Sequence, residues 1–584
     1  MVTNKYITKI ISALMALAVI LCLATSAFSQ QLQAVYGKNA VTMEYETKLF
    51  DTDQVMDIDI LMDEDDWNDM LENAISEEYY SCDVVVNGKK FYSVGIRPKG
   101  NTSLSSIASD PDTDRYSFKL EFDHYIEGQT CYGLDKLILN NNYADATNMK
   151  EAVVYDMYQY LDVDASLYNY AKICVNGDYR GVYLALEAVE DSFMLRNYGT
   201  EDGNLYKPES MGVGGGDGEE GKDGGGFQGG APQMGNPPEN IQMPQGENDK
   251  MPDEFQFSQN VEQSEDIDFS DFKMGAIGGS GGADLNYTDD DLDSYSTIWD
   301  GEVTSSGKKD HKRVVEALKN ISEGTDPETY MDVDNILKYM AVHTFVVNDD
   351  SLSGTMAHNY YLYEYNGKLN ILPWDYNLSF GGMSMGGGMG GQSSGATSVI
   401  NDAIDTPFSI TNFFDALLEN EEYLAKYHEY LNELVEKYVN GGEFQKTYER
   451  IRSQINELVA EDPTAFYSYE EYEAAVEMLY EVINLRGESV SGQLDGTIPS
   501  TDDGQKADSS TLIDGSGIEL SVMGSMSMGS GAGEGIGVPG GRGDGWQMRT
   551  PGGSVDEQQT GASGKEAGNS DGNEALQKTE SGGV

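Results

Sequence analysis

The sequence predicts an α+β chain in which a strand-rich lobe precedes a mainly helical one, with a disordered Gly-rich insert between them and a disordered Gly-rich tail behind. Three observations predict this. Residues 43–209 alternate apolar and polar side chains in short runs broken by Asn-Gly pairs. Residues 285–486 carry apolar side chains three and four apart. The 67 Gly among 584 residues, above the usual share of about 7%, gather in stretches with no hydrophobic period.

In chain order, residues 1–27 read as a secretory signal peptide. Lys5 and Lys9 flank the start of an apolar stretch from Ile10 to Ala24, and Ala24-Thr25-Ser26-Ala27 supplies small residues for cleavage. The remaining chain, from near Phe28, has no further apolar run of about 20 residues with which to span a bilayer. Residues 28–210 form the strand-rich lobe, with hairpin turns at Asn87-Gly88 and Asn176-Gly177. One helix interrupts it: Asn148 and Glu151 read as a capping pair, and Met149, Val153, Met157 and Tyr160 recur at helical spacing. Residues 211–283 are rich in Gly, Asp, Met, Pro and Gln and read as disordered. The helical lobe, 284–490, includes the long segments Phe413 to Val439 and Tyr448 to Val459. Within it, Tyr360 to Tyr363 and Leu369 to Leu372 flank Asn366-Gly367 as a β-hairpin, followed by a second Gly and Met run from Gly381 to Gly391. Residues 491–584 read as a flexible Gly/Ser-rich tail.

With 37 Lys plus Arg against 100 Asp plus Glu, the formal charge of −63 repels phosphate backbones and excludes nucleic acid as a general partner. After signal removal three cysteines remain, Cys82, Cys131 and Cys174, which allow at most one bridge and lack zinc-site spacing.

In so acidic a chain the placed cations stand out. A strand through Val94 to Lys99 delivers Arg97 and Lys99 on one face to a turn of small residues, Gly100-Asn101-Thr102-Ser103, whose backbone N–H groups suit an anion. Lys119 stands with Ser117 and Glu121 opposite Phe118, Leu120 and Phe122, on the polar side of a packed strand. The bland reading of Lys99 or Lys119 is a solvated charge paired with one of many acids. Farther on come Asn348-Asp349-Asp350, His358-Asn359 and Trp374-Asp375-Tyr376-Asn377. Carboxylate and amide oxygens suit Mg²⁺, and a hairpin that joins its ends brings Asp349 or Asp350, Asn359 and Asp375 toward one point. Acidic turns without function are the competing reading, and His358 reads as a structural residue.

Here the sequence resembles the CotH kinase family, secreted and spore-coat proteins with an atypical protein-kinase fold. The resemblance runs from about Val55 to Gly381. Its marks are Gly95 to Ser103, Ser117 to Phe122, Leu137 to Asn141, Gly181 to Glu187, Gly203 to Lys207 and Pro373-Trp374-Asp375. It implies a two-lobed, kinase-like chain that transfers the γ-phosphoryl of ATP, with Mg²⁺ or Mn²⁺, to Ser or Thr of a Ser/Thr-rich protein at a bacterial cell or spore surface. Arg97, Lys99, Asn101 and Ser103 then cover the phosphates, Lys119 contacts them from its strand, Glu151 holds Lys119, and Glu187 leads to the adenine. Asp349 or Asp350 is the base, and Asn359, Asp375 and Asn377 are the metal residues.

The chain has no G-x-G-x-x-G loop, no His-Arg-Asp and no Asp-Phe-Gly, and Asn377 replaces the family's usual acid. The alternative is therefore a non-catalytic kinase-like surface scaffold or adhesion protein, to which Arg542-Gly543-Asp544 in the tail adds little. A calcium site at Asp289 to Asp293 lacks EF-hand spacing.

Overall fold

The structure, a computed structural model, describes residues 40–209, 281–354, 357–385, 395–408 and 410–528. The signal peptide, nearly all of the Gly-rich insert and the chain after residue 528 lie outside the described residues.

The Asn-Gly pairs set the local geometry. Asn87-Gly88, Asn176-Gly177 and Asn366-Gly367 each hold two consecutive positive φ angles, the requirement of the hairpin turn whose twist matches its strands. Two of these turns join strands of a closed seven-stranded barrel. Its strands are β1 (Met56–Leu61), β2 (Tyr80–Val86), β3 (Lys89–Lys99), β4 (Ser117–Glu121), β5 (Lys136–Asn140), β6 (Tyr168–Val175) and β7 (Asp178–Glu187), in the order β1-β2-β3-β4-β5-β7-β6. The pairings are antiparallel except the closing seam, where β1 runs parallel to β6. The strand-rich region is thus a barrel and not a set of open hairpins. Ile58, Val84, Ile96, Phe118, Leu120, Leu137 and Leu139 are fully buried in one cluster that fills its interior. Their strand neighbours Arg97, Lys119 and Ile138 share the opposite, outer face, where Ile138 joins the core of the helical part.

That second core is built around α2 (Lys150–Tyr160), which follows α1 (Thr102–Ser109) in the chain. Around it lie α3 (Lys308–Ser322), α4 (Val333–Val346), α5 (Glu421–Glu433), α6 (Glu443–Ala460) and α7 (Tyr469–Asp495). Tyr158 of α2 stacks on Tyr339 of α4 with ring centroids 6.0 Å apart. The expected cap of α2 is corrected. Asn148 takes a positive φ, and the buried Asp145 accepts hydrogen bonds from the Thr147 and Lys150 amides instead. A small sheet, β10-β9-β8, joins β8 (Asn204–Tyr206) to the predicted hairpin, β9 (Tyr360–Tyr365) and β10 (Lys368–Pro373).

The tail reading from 491 is also corrected. Residues 491–495 end α7, residues 502–507 form a further helix, and β12 (Met526–Met528) pairs in parallel with β11 (Met383–Met385). All described residues fall in one compact unit. No helix among them is long and apolar enough to cross a membrane. Cys82, Cys131 and Cys174 are free thiols.

One buried acid gives the fold a pH signature. Burial and the adjacent Glu190 push the Asp135 carboxyl up to about 7. Its raised folded value means that between about pH 4 and 7 the folded chain holds a proton the unfolded chain has lost. Stability therefore falls as pH rises through that window, by roughly 2–4 kcal/mol for this group. Asp135→Asn is expected to flatten that limb, read as urea midpoints at pH 4.5 and 7.5 against the unmodified chain.

Candidate functional site

The outer wall of the barrel carries the first half of the site. Antiparallel register sets Lys99 opposite Ser117, and one rung on, Phe118 opposite Leu139, so Lys99, Ser117 and Asn140 cross three strands at one level. All three line a cavity between the barrel wall and the helical part. Lys99 Nζ donates to Asn140 Oδ1 at 3.3 Å and stands over the Trp374 ring at 5.5 Å. Arg97, on the same face, pairs with Glu77 at 2.8 Å. After β3 the chain turns at Gly100, where φ is +137° and an added Cβ would meet Ser103 Oγ at 2.9 Å. That turn sets Asn101, Thr102 and Ser103, at the start of α1, along the cavity rim.

The second half comes from the first turn of α2 and from two loops. Glu151 accepts from Asn140 Nδ2 at 2.8 Å through one carboxylate oxygen, and the other is buried with no hydrogen-bond partner. Burial and the facing Asp375 push the Glu151 carboxyl up. Burial raises Asp375 as well, against the pull of Lys99. α4 ends in Val347 at φ 50°, a costly conformation for a β-branched residue, and the loop beyond it brings Asp350 to the cavity. Asp350 accepts from His358 Nε2 at 2.7 Å and from Asn359 Nδ2 at 3.0 Å. Burial opposes protonation of His358, but the bond to Asp350 and the charge of Asp375 raise it. Asn377 spends its Nδ2 on the Tyr143 carbonyl at 2.9 Å.

Of the residues singled out from sequence, Arg97, Lys99, Asn101, Ser103, Glu151, Asp350, Asn359, Asp375 and Asn377 line this one cavity. Three do not. Lys119 lies a rung away from Lys99 and pairs with Glu190 at 2.7 Å, in a cluster with Lys136, so Glu151 does not hold it. Glu187 is fully buried and spent on Tyr45, Arg196 and the Leu167 amide, which leaves no carboxylate for an adenine. Asp349 is exposed beside the cavity, and Asp350 is the acid that enters it.

The cavity adds residues that the sequence reading assigned no role there: Glu77, the Lys207–Glu209 pair, His358, Trp374, Tyr143 and Met526. Lys207 and Trp374 stood inside the motifs quoted above and were legible there. Met526 had no signal, since it lies in a Gly, Ser and Met run. Among the described residues no group of three or more His, Cys, Asp or Glu is arranged to hold a metal ion. Any ion in this cavity would draw on Asp and Glu carboxylates together with amide oxygens. The arrangement offers cations on one wall, two buried carboxylates with raised proton affinity, and the hydrogen-bonded acid Asp350, the groups that phosphate handling requires.

The model of the family described as CotH kinase protein matches residues 96–490, more than half of the chain. No curated protein matches it. The matched span contains every cavity residue from sequence reasoning, and the chain belongs to the CotH kinase protein family.

Proposed function

We propose that this kinase-like protein transfers the γ-phosphoryl group of ATP to Ser or Thr hydroxyls of a Ser/Thr-rich protein, and that it does so outside the cytoplasm, at a bacterial cell or spore surface. The observation that carries the reading is the convergence of Arg97 and Lys99 from the barrel wall with Glu151, Asp350, Asn359 and Asp375 from the helical part. The barrel against a helical body, with the cavity at their junction, supports an atypical two-lobed kinase arrangement in which the closed barrel takes the place of an open sheet. The apolar stretch from Ile10 to Ala24 supports export.

The residues fit a divalent ion and a phosphate chain. Burial and Asp375 raise the proton affinity of Glu151, burial and Asp350 raise that of Asp375, and a buried Glu151 oxygen has no partner, a deficit that positive charge relieves. When bound by Asp375, Asn359 and Glu151, Mg²⁺ or Mn²⁺ would supply neutralisation of the phosphate oxygens. Lys99 and Arg97 add fixed positive charge, and the Gly100–Ser103 turn offers close backbone approach. Asp350, oriented by His358 and Asn359, takes the proton of the attacking hydroxyl as its oxygen bonds to phosphorus and ADP departs. Nucleic acid has no part in this reading.

Incubating the full chain with ATP, Mg²⁺ or Mn²⁺ and a Ser-rich acceptor tests it. Phosphate incorporated into Ser or Thr is the expected result, and a folded sample that neither binds ATP nor transfers phosphate overturns it. A second reading, a kinase-like scaffold without transfer, draws on Asn377, whose amide is committed to the Tyr143 carbonyl. The same assay separates the two.

A further inference from the structure

The family match ends at residue 490, yet the chain continues into the site. Residues 523–526 cross the loop that leads into α2. The Ala146 amide donates to the Met523 carbonyl at 3.1 Å, and Lys150 Nζ, fully buried, donates to the Gly524 carbonyl at 2.9 Å. Lys150 directly precedes Glu151. On the other side, the Met526 amide donates to the Gly382 carbonyl at 2.8 Å, and β12 pairs with β11 just beyond the Asp375 segment. The two strands carry the same tripeptide, Met-Ser-Met, paired in register: Met383 with Met526, Ser384 with Ser527 and Met385 with Met528. Met526 lines the cavity and packs against the cluster that contains Tyr143 and Leu378, two of the few apolar residues in a largely polar lining.

We infer that residues 523–528, outside the family-matched region, are a positioning element of the site: their backbone staples the Glu151-bearing turn of α2 to the segment after Asp375, and Met526 closes the apolar end of the cavity. A staple is needed because the two acid-bearing segments come from different parts of the chain and their carboxylates repel. Lys150 gives the staple its strength. Its Nζ is fully buried, and losing the Gly524 carbonyl would leave a buried donor without that acceptor. The staple is a statement about the protein alone; its effect on ATP binding, in Gly524→Ala as in Met526→Ala, rests on the nucleotide reading.

Gly524→Ala in the full chain is the first test. Gly524 has φ +80°, and an added Cβ would meet the Ala144 carbonyl oxygen at 2.5 Å, so the substitution unseats the segment without altering any cavity-lining side chain. Amide exchange of peptides spanning 142–153 and 520–528 is expected to accelerate about tenfold or more, with cooperative unfolding retained. The Kd for Mg²⁺-ATP is expected to rise about tenfold. Met526→Ala, which keeps the backbone staple, is expected to raise KM for ATP roughly fivefold with kcat held within about twofold, and Met526→Leu to restore it. That split is not the behaviour of a residue that merely supports folding. Unchanged exchange at 142–153 in Gly524→Ala overturns the staple. Accelerated exchange with unchanged ATP affinity, or a Met526→Ala enzyme with unaltered KM, overturns its role in the site. If the unmodified chain binds no ATP, the nucleotide reading and the Met526 role fall, while accelerated exchange at 142–153 still upholds the staple.

Discussion

Asp375→Asn is expected to lower phosphoryl transfer by roughly 10²–10³-fold or more while leaving the fold in place. Asp375 takes φ 60°, a left-handed conformation that Asn tolerates nearly as well as Asp and that Ala does not. Asn also matches the side chain in size, so the change subtracts one negative charge and little else. An Ala variant would mix loss of charge with backbone strain of about 1 kcal/mol and blur the result. Removing that charge takes from the cavity one carboxylate oxygen that the proposed metal site uses, and relieves the repulsion that raises Glu151. The measurement is the initial rate of phosphate incorporation at saturating ATP, alongside a denaturant midpoint. A rate within threefold of the unmodified chain, from a folded variant, would remove Asp375 from the chemistry.

The largest loss of stability is expected from Arg115→Met. Arg115 is 2% exposed and its Nη1 meets Asp462 Oδ2 at 2.9 Å and Thr464 Oγ1 at 2.7 Å. Nε donates to the Asn141 carbonyl at 3.0 Å and Nη2 to the Val182 carbonyl at 2.6 Å. The guanidinium thus ties the barrel rim to the turn between α6 and α7, directly behind the cavity residue Asn141. Gly181 leaves it room, since a Cβ there would lie 2.4 Å from Nη1. Substitution by Met strands Asp462 as a buried charge and is expected to cost about 3–5 kcal/mol, read as a shift of the urea midpoint with unchanged slope. Restoring neutrality with the double change Arg115→Met and Asp462→Leu should recover part of that loss.

The parts of this molecule that were legible in its sequence are those set by local rules. Three Asn-Gly pairs fixed three turns because few other dipeptides accept two positive φ angles. Strand alternation put Arg97 and Lys99 on one face, and hairpin closure brought Asp350, Asn359 and Asp375 to one cavity. What was not legible depends on distant partners. The β1–β6 seam that closes the barrel joins strands far apart in the chain and leaves no local trace. Lys119 reads like a phosphate-binding lysine until Glu190, about seventy residues away, claims it. Glu187 is likewise claimed by Tyr45 and Arg196. The segment 523–528 is short and of low complexity, and its order comes from docking onto Ala146, Lys150 and β11, not from its own propensity.

The rung shared by Lys99, Ser117 and Asn140 bears on how this architecture tolerates change. Their separations are dictated by interstrand spacing, about 4.8 Å per step, and are indifferent to how long the connecting segments are. The exposed excursion at residues 124–128 could lengthen or shrink without moving this cavity-lining trio. Shifting β4 by a single residue against β3 would instead send Ser117 inward and turn Phe118 toward the cavity.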